Sequence, residues 1–473
     1  MNRLGLPTNS LVNDLRAAIG AAFVLTQPEE LRVYETDAGR MTKSLPGVVT
    51  LPKSTEEVVE IAKIVQRYQR PLTARGSGTG LMGGAIASQG GVVVSTARMN
   101  KILEIDVANR VAVIQPGVTN AWLCQQAYPY GLYFPPDPTS QLASSLGGHA
   151  AVNMSGPHSL KYGSTANHIL GIEMVMADGQ LLRAGGKVLE SAGLDWVGLI
   201  VGSEGTLGII TRLVVRLLPV PPTTRTFVIV FDRLSDAAEA AILLLSRGLL
   251  PAALELIDST VIAALMNAYP RLQTMLQGTR FDAEQALLLV DLDGVKDPSI
   301  GLETQEKVLQ GICQELKALL CYRAKDAQER TFLWQAYHQA IGATGRLANA
   351  YFLQDGVIPL SKLPEVVGRL SAVGRSYGLK VGYLIHVGDG HLLPLLLYDK
   401  KDPEQINQVH QCGLEMMQIC IAVGGNIGGT SGIGLEKREA LSQFLQPVDL
   451  EAMKKIRAVF DPEAVCNPDK IFL

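Results

Sequence analysis

The glycines of this chain crowd into a few stretches, at residues 76–91, 147–163, 202–208 and 422–434. A backbone that needs so many positions without a Cβ runs close to something, either another segment or a ligand. In the run from Arg75 to Gly84, five of ten residues are glycine, and the preceding PLTAR reads as a strand. Consecutive amides in such a loop can turn into one concavity and hold phosphate oxygens. Within it GTGLMG formally matches the dinucleotide fingerprint GxGxxG. That fingerprint should open a helix and be followed about 20 residues later by an acid ending the next strand. The corresponding stretch, VVVSTARMN, has none, so the Rossmann reading fails its own context. A tight turn without function is the plainer alternative, and it needs far fewer glycines.

Two further clusters narrow the choice. Pro135-Pro136-Asp137-Pro138-Thr139-Ser140 leads to Ser144-Ser145-Leu146-Gly147-Gly148, then Asn153 and Lys161-Tyr162-Gly163; the third is Gly202-Ser203-Glu204-Gly205-Thr206-Leu207-Gly208-Ile209-Ile210. Small residues and hydroxyls at this density let a planar ring and a pyrophosphate lie against backbone. Around them the chain reads as strands and helices. GVVTLP is a short strand, and STEEVVEIAKIVQRYQR is a helix opened by a capping box of Ser54 and Glu57. HILGIEMVMADGQLLRA is a hairpin turning at Asp178-Gly179. Residues 9–35 read as amphipathic helices capped by Asn9 or Ser10. After the Pro-rich exit LLPVPPTT, two strand–helix–strand units predict a mainly antiparallel sheet with helices on one face.

Composition sets the outer bounds. A chain of 473 residues needs at least two packed lobes. The expected divisions are an N-terminal helical segment (1–42), a ligand-binding domain (43–221), a second α+β domain (222–434) and a C-terminal helical segment packing back on the first (435–473). A net charge of −3 gives no field able to hold nucleic acid. The six cysteines form no CxxC pair, which argues against an iron–sulfur or zinc site within the chain and fits a reducing, cytoplasmic setting. No apolar run is long enough to span a bilayer, so no integral membrane segment is expected; docking to a membrane through a partner stays open.

ARGSGTGLMGGA, PPDPTSQLASSLGG, LKYG, GSEGTLGI, HVGDG and FDPEAVCNPDKI, in this order, resemble the FAD-linked oxidases with a p-cresol-methylhydroxylase type of FAD domain, and most closely their glycolate oxidase and D-lactate dehydrogenase branch. The resemblance covers essentially the whole chain. It implies an α+β fold, with a two-subdomain FAD-binding domain and an α+β cap domain built on an antiparallel sheet. The run from Gly76 to Gly80, with Ser77, Gly78 and Thr79, would take the pyrophosphate, while Thr139, Ser144, Ser145, Gly147, Gly148, Gly205 and Ile210 would line the rest. Arg75, Gly83, Pro138, Asn153, Tyr162, Gly163, Glu204 and Asn467 complete the candidate contacts. Thr79 stands where covalent members usually carry a flavin-linked His, so FAD is expected to be held non-covalently. His149 replaces the Asn usual after the paired glycines.

Oxidising a 2-hydroxy acid requires a cation for the carboxylate, a base for the hydroxyl proton and the Cα hydrogen facing the flavin. In the resembling dehydrogenases an Arg and a Lys after a Trp serve the carboxylate. A metal is held by the two His of HxGDGNxH and the Glu of GEHG, whose His is the base. In this chain the places after Trp334 are Tyr337 and His338, unless a shift brings in Arg330 or Arg346. HVGDGHLLP keeps His386, puts His391 where Asn is usual and Leu393 where the second ligand belongs; Thr430 and Ser431 replace Glu and His. One surviving ligand cannot hold a metal usefully, so no catalytic metal is expected. His386 and His391 have the parity to face one cavity. His391 would then be a metal-free base with Tyr337 or His338 donating to a substrate oxygen, or else a hydrogen-bonded loop histidine. His158 and His410 read as structural.

Two functions follow from the resemblance. One is an oxidoreductase acting on a 2-hydroxy acid or related alcohol, with a diverged pocket. The other is a non-catalytic or electron-passing FAD subunit, since members of this branch can work beside a second FAD subunit and an iron–sulfur subunit.

Overall fold

The computed structural model describes residues 8–39, 41–87, 90–189, 192–276, 284–295 and 301–473. The first helix, Asn9–Ile19, is capped one residue earlier than expected, by Thr8, whose hydroxyl accepts from Leu11 N. The helix Thr55–Arg67 has half the expected capping box: Ser54 accepts from Glu57 N, while the Glu57 carboxylate turns to Lys53 N.

Two larger sheets build the N-terminal lobe, beside a short antiparallel pair of Leu132–Tyr133 and Leu218–Pro219. The first orders Val24–Leu25, Val48–Thr50, Val92–Ser95 and Leu72–Arg75, the last three parallel. The second is antiparallel, in the order Ile102–Asp106, Val111–Ile114, Ile209–Arg216, Ile169–Val175 and Leu181–Gly185. Its last pair is the hairpin turning at Asp178-Gly179. The glycine loop after Arg75 runs through bends and turns and opens no helix, which removes the Rossmann geometry.

The second lobe is an eight-stranded antiparallel sheet. Leu320–Arg323, Thr223–Phe231, Ala286–Gly294, Ala253–Asp258, Lys380–His386, His391–Tyr398 and Ala350–Leu353 follow one another, and Gly356–Val357 also pairs with His391–Tyr398. Both predicted strand–helix–strand units are present, through Leu234–Ser246 and Leu302–Glu315. The helices differ from expectation in covering both faces. Leu234–Ser246, Leu302–Glu315, Leu363–Ser376 and Pro403–Ala422 pack on one face, while Ser259–Ala268 and Ala327–His338 pack on the other. The reason shows in Ala253–Asp258, which is buried at every position and therefore covered on both sides, its two acids Glu255 and Asp258 included.

The tail returns to the first lobe. Cys466 bridges to Leu72, Asn467 N donates to Leu72 O, and Lys470 Nζ donates to Ile86 O. Among the described residues no helix is long and apolar enough to cross a membrane.

Candidate active site

The glycine clusters meet in one cleft of about 420 Å³ between the lobes. Its floor interlocks two of them: a Cβ on Gly76 would lie 2.2 Å from Ser145 Oγ, so any larger residue would part the loops. Ser145 Oγ is buried and has no partner, and none of the amides of Ser77, Gly78, Thr79 and Gly80 donates a hydrogen bond among the described residues. A ligand with many acceptors suits that set: Ser145 Oγ is buried without a partner, and the half-buried to exposed loop amides are open to the cleft. Arg75 braces the loop from behind through the carbonyls of Thr36 (3.0 Å) and Ala85 (3.3 Å).

Most of the candidate cofactor contacts line this cleft: Arg75, Gly76, Ser77, Gly78, Thr79, Gly80, Pro138, Thr139, Ser144, Ser145, Gly147, Gly148, Glu204, Gly205, Ile210 and Asn467. Gly83, Asn153, Tyr162 and Gly163 do not. Gly83 N donates to Asp37, Asn153 Oδ1 accepts from Ser164 Oγ and Ala166 N, Tyr162 Oη donates to Asp293, and Gly163 ends a helical turn beside Asn167. These four shape the loops from outside. Glu204 does both jobs, since its carboxylate fastens the opposite loop by accepting from Ile433 N (2.6 Å) and Gly434 N (2.7 Å). His149 is fully buried, 2.7 Å from Ser144 Oγ, and desolvation pushes it down to about 4.

The cap sheet closes the cleft with a polar row and an apolar row. Register places Glu255, His386 and His391 side by side on three neighbouring strands, and Ile257, Leu384 and Leu393 in the next row of the same face. Leu393 thus occupies the position one pair along from His386 where a second imidazole would project. His386 lines the cleft, and its Nδ1 lies 2.7 Å from Glu255 Oε2. Tyr337 Oη donates to the same oxygen and is 3.3 Å from His386 Nδ1. Desolvation raises Glu255 above the ordinary carboxyl range; it opposes charge on His386 too, but the Glu255 carboxylate outweighs it and lifts His386 to about 9. Both shifts ask for the same proton. Two donors converging on Oε2 assign the negative charge to Glu255 and the Nδ1 proton to His386, leaving Nε2 for the cleft.

His391 stacks on His386, with ring centroids 5.3 Å apart, yet it is absent from the cleft wall. Parity aims it at the same face, but the loop through Gly429 closes over it, where a Cβ would lie 2.8 Å from Nε2. That nitrogen is taken by Asp355 Oδ2 at 3.1 Å. Asp355 in turn holds Lys437 Nζ, which also donates to Ile427 O (2.8 Å). The expectation of two imidazoles facing one cavity gives way to one facing it and one sealed behind it.

Tyr337 and His338, at the end of the helix Ala327–His338, both reach the cleft, and His338 Nε2 is 3.2 Å from Gln141 Nε2. Desolvation lowers His338. Arg330 pairs with Asp291 outside the cleft, and Arg346 is exposed in a turn. Arg75 is the only Lys or Arg among the described residues lining the cleft. Among those residues, no group of three or more His, Cys, Asp or Glu is placed to hold a metal ion. With Leu393, Thr430 and Ser431 at the former ligand and base positions and His391 given to Asp355, the donor set does not fit a metal. Sequence reasoning missed Glu255. An acid flanked by leucines inside the strand PAALELIDS was the available signal, because a charge buried without purpose is costly.

Cleft and lobes define a flavoprotein of the oxidoreductase class. The FAD binding domain family matches residues 46–185, and the family of FAD linked oxidases, C-terminal domain, matches residues 220–471. The glycolate oxidase subunit GlcD of Escherichia coli (strain K12) is 35% identical over 468 residues, spanning 98% of this chain and 90% of that protein. A D-lactate dehydrogenase of Archaeoglobus fulgidus is 32% identical over 430 residues, spanning 90% and 91%. In fold, p-cresol methylhydroxylase with substrate bound superposes with a TM-score of 0.81 at 18% identity, covering 99% of this chain and 98% of that one. This chain belongs to the FAD-linked oxidases.

Proposed function

We infer that the protein oxidises a 2-hydroxy acid or a related alcohol with non-covalently held FAD, using His386 as the proton acceptor and no metal. The observation that carries this reading is that His386 is the one imidazole both open to the glycine-walled cleft and backed by a carboxylate. The loop amides of Ser77–Gly80 and Ser145 Oγ would hold the cofactor. FAD, when bound, supplies the acceptor for the hydride leaving the substrate carbon. In its neutral form, which it reaches as pH rises toward 9, His386 takes the hydroxyl proton on Nε2 as the carbonyl forms, and Glu255 steadies the resulting imidazolium through Nδ1. Tyr337 keeps the Glu255 carboxylate in place, and His338 donates to a substrate oxygen. Glu204 ties the first lobe to the loop at Ile433 and Gly434, and Asn467 fastens the tail to Gly84 O and Glu204 O at the cleft.

The name of the Escherichia coli relative raises the alternative of a subunit with no chemistry of its own. A carboxylate-backed imidazole at the cleft favours retained catalysis. The test is an anaerobic titration of the holoprotein with glycolate, D-lactate, D-2-hydroxyglutarate and uncharged alcohols, with and without added Zn2+. Bleaching of the flavin by one of them, unchanged by Zn2+ or chelator, is expected. Reduction by dithionite alone would overturn the reading and send the search to a second flavin or iron–sulfur partner. Acid precipitation that leaves flavin on the protein would overturn non-covalent binding.

A further inference from the structure

We propose that the substrate is a 2-hydroxy compound carrying an apolar chain of several carbons, selected by a leucine wall beside His386; this rests on the function proposed above.

The row next to Glu255 and His386 consists of Ile257, Leu384 and Leu393. Leu384 and Leu393 line the cleft together with Leu353, Ile341, Leu81 and Met82, and all six belong to one continuous apolar cluster. Leu353 stands on the strand beside Leu393, in register with Leu395. An alcohol whose oxygen reaches His386 Nε2 therefore has hydrocarbon as its neighbour one sheet row away. Glycolate brings no carbon to that wall and lactate a single methyl. A longer chain exchanges water for this hydrocarbon surface along its own length. No cation is left over for a carboxylate: His386 is already paired with Glu255, and Arg75, the cleft's only Lys or Arg among the described residues, is turned to the carbonyls of Thr36 and Ala85. A carboxylate lacking a fixed cation loses the charge-assisted bond that would make it the main handle, so the chain takes over that part. Each methylene buried should tighten binding about fourfold, until the wall is covered.

The experiment uses the FAD-loaded protein under anaerobic conditions. Flavin reduction is followed with glycolate, D-lactate, D-2-hydroxybutyrate, D-2-hydroxyhexanoate, D-2-hydroxyoctanoate and the methyl ester of the hexanoate. In parallel, butanoate, hexanoate and octanoate, which have no hydroxyl to oxidise, are titrated against the flavin spectrum for their Kd. The expected result is a kcat/KM that climbs from glycolate to the six-carbon acid by about two orders of magnitude at least, carried by KM. The inert acids should follow the same slope, and the ester should react within about tenfold of the acid. Leu393→His and Leu393→Ala should both flatten the slope; the unmodified protein's own series decides the matter if either fails to fold.

A flat series, or glycolate as the best substrate, overturns the wall's role while leaving the oxidoreductase reading intact. Tighter binding of longer inert acids without flavin reduction by any 2-hydroxy compound does the reverse. An ester that fails while its acid reacts would show the carboxylate to be the main handle and would overturn this assignment.

Discussion

His386 and His391 are cross-strand partners with stacked rings, yet the chain treats them oppositely. His386 keeps one nitrogen on Glu255 and turns the other to the cleft. His391 gives Nε2 to Asp355 and lies under the loop carrying Gly429, Thr430 and Ser431. Strand parity is the same for both; what separates them is the segment that covers one of them. A histidine's chemistry is set by the second partner on its ring and by what lies over it, and neither is written in its spacing.

The strongest way to break this contrast is to remove each ring in turn. His386→Ala should lower the rate of flavin reduction by about 10²–10⁴, the usual worth of a positioned base. His391→Ala should cost less than about tenfold in rate and act on stability instead. Equal losses in stopped-flow traces would mean the two rings work as one unit.

Next in size is the charge behind His391. Lys437 and Asp355 are both fully buried, and removing one charge strands the other. Burial alone would raise Asp355, but Lys437 and His391 hold it well below the ordinary carboxyl range. Asp355→Asn should therefore lower unfolding free energy by about 3–5 kcal/mol in urea, with flavin still bound at moderate temperature. A change within about 0.5 kcal/mol would show that the pair contributes little. The matching change behind His386, Glu255→Gln, should act on rate, by about 10- to 100-fold, as loss of a carboxylate behind an imidazole does at metal sites. Nitrogen-15 spectra of the histidine rings should then show His386 losing its fixed Nδ1–H tautomer. An unchanged tautomer would remove Glu255 from its positioning role.

How far the sequence speaks follows the same division. The glycine loops were readable because a close backbone approach demands residues without Cβ, and that demand is local. The hairpin at Asp178-Gly179 and the strand–helix–strand units rest on local patterns too, and they formed as expected. The tail was expected to pack back on the first lobe, and Asn467 lies in the cleft. Tyr162, Gly163 and Asn153 looked like cofactor contacts by association with their cluster, but their bonds run to Asp293, Asn167 and Ser164. Glu255 and Asp355 went unread because their partners lie 131 and 36 residues away along the chain. No window along the sequence sees such a pair. Helices on both faces of the cap sheet could have been foreseen from the opening ALLLV of ALLLVDLDG, five apolar residues in a row without alternation.

The smallest expected effect separates a third histidine from these two and turns on the sign of its shift. His149 is buried against Ser144 with no carboxylate partner, and desolvation holds it at about 4 against an ordinary value of 6.5. The unfolded chain binds this proton more readily than the folded one between those values, so stability from this site falls as pH drops from about 6.5 toward 4. His386 has the opposite sign: its value is raised to about 9, so its pairing is fully present below about 6.5 and is lost as pH rises through 9. His149→Asn removes the titrating ring and keeps a hydrogen-bonding side chain beside Ser144. Urea unfolding across the pH range should show the acid limb flattened in this variant and the alkaline limb unchanged. A flattened alkaline limb would mean that His149 is coupled to the cap sheet, and the separation between the cofactor wall and the catalytic row would have to be given up.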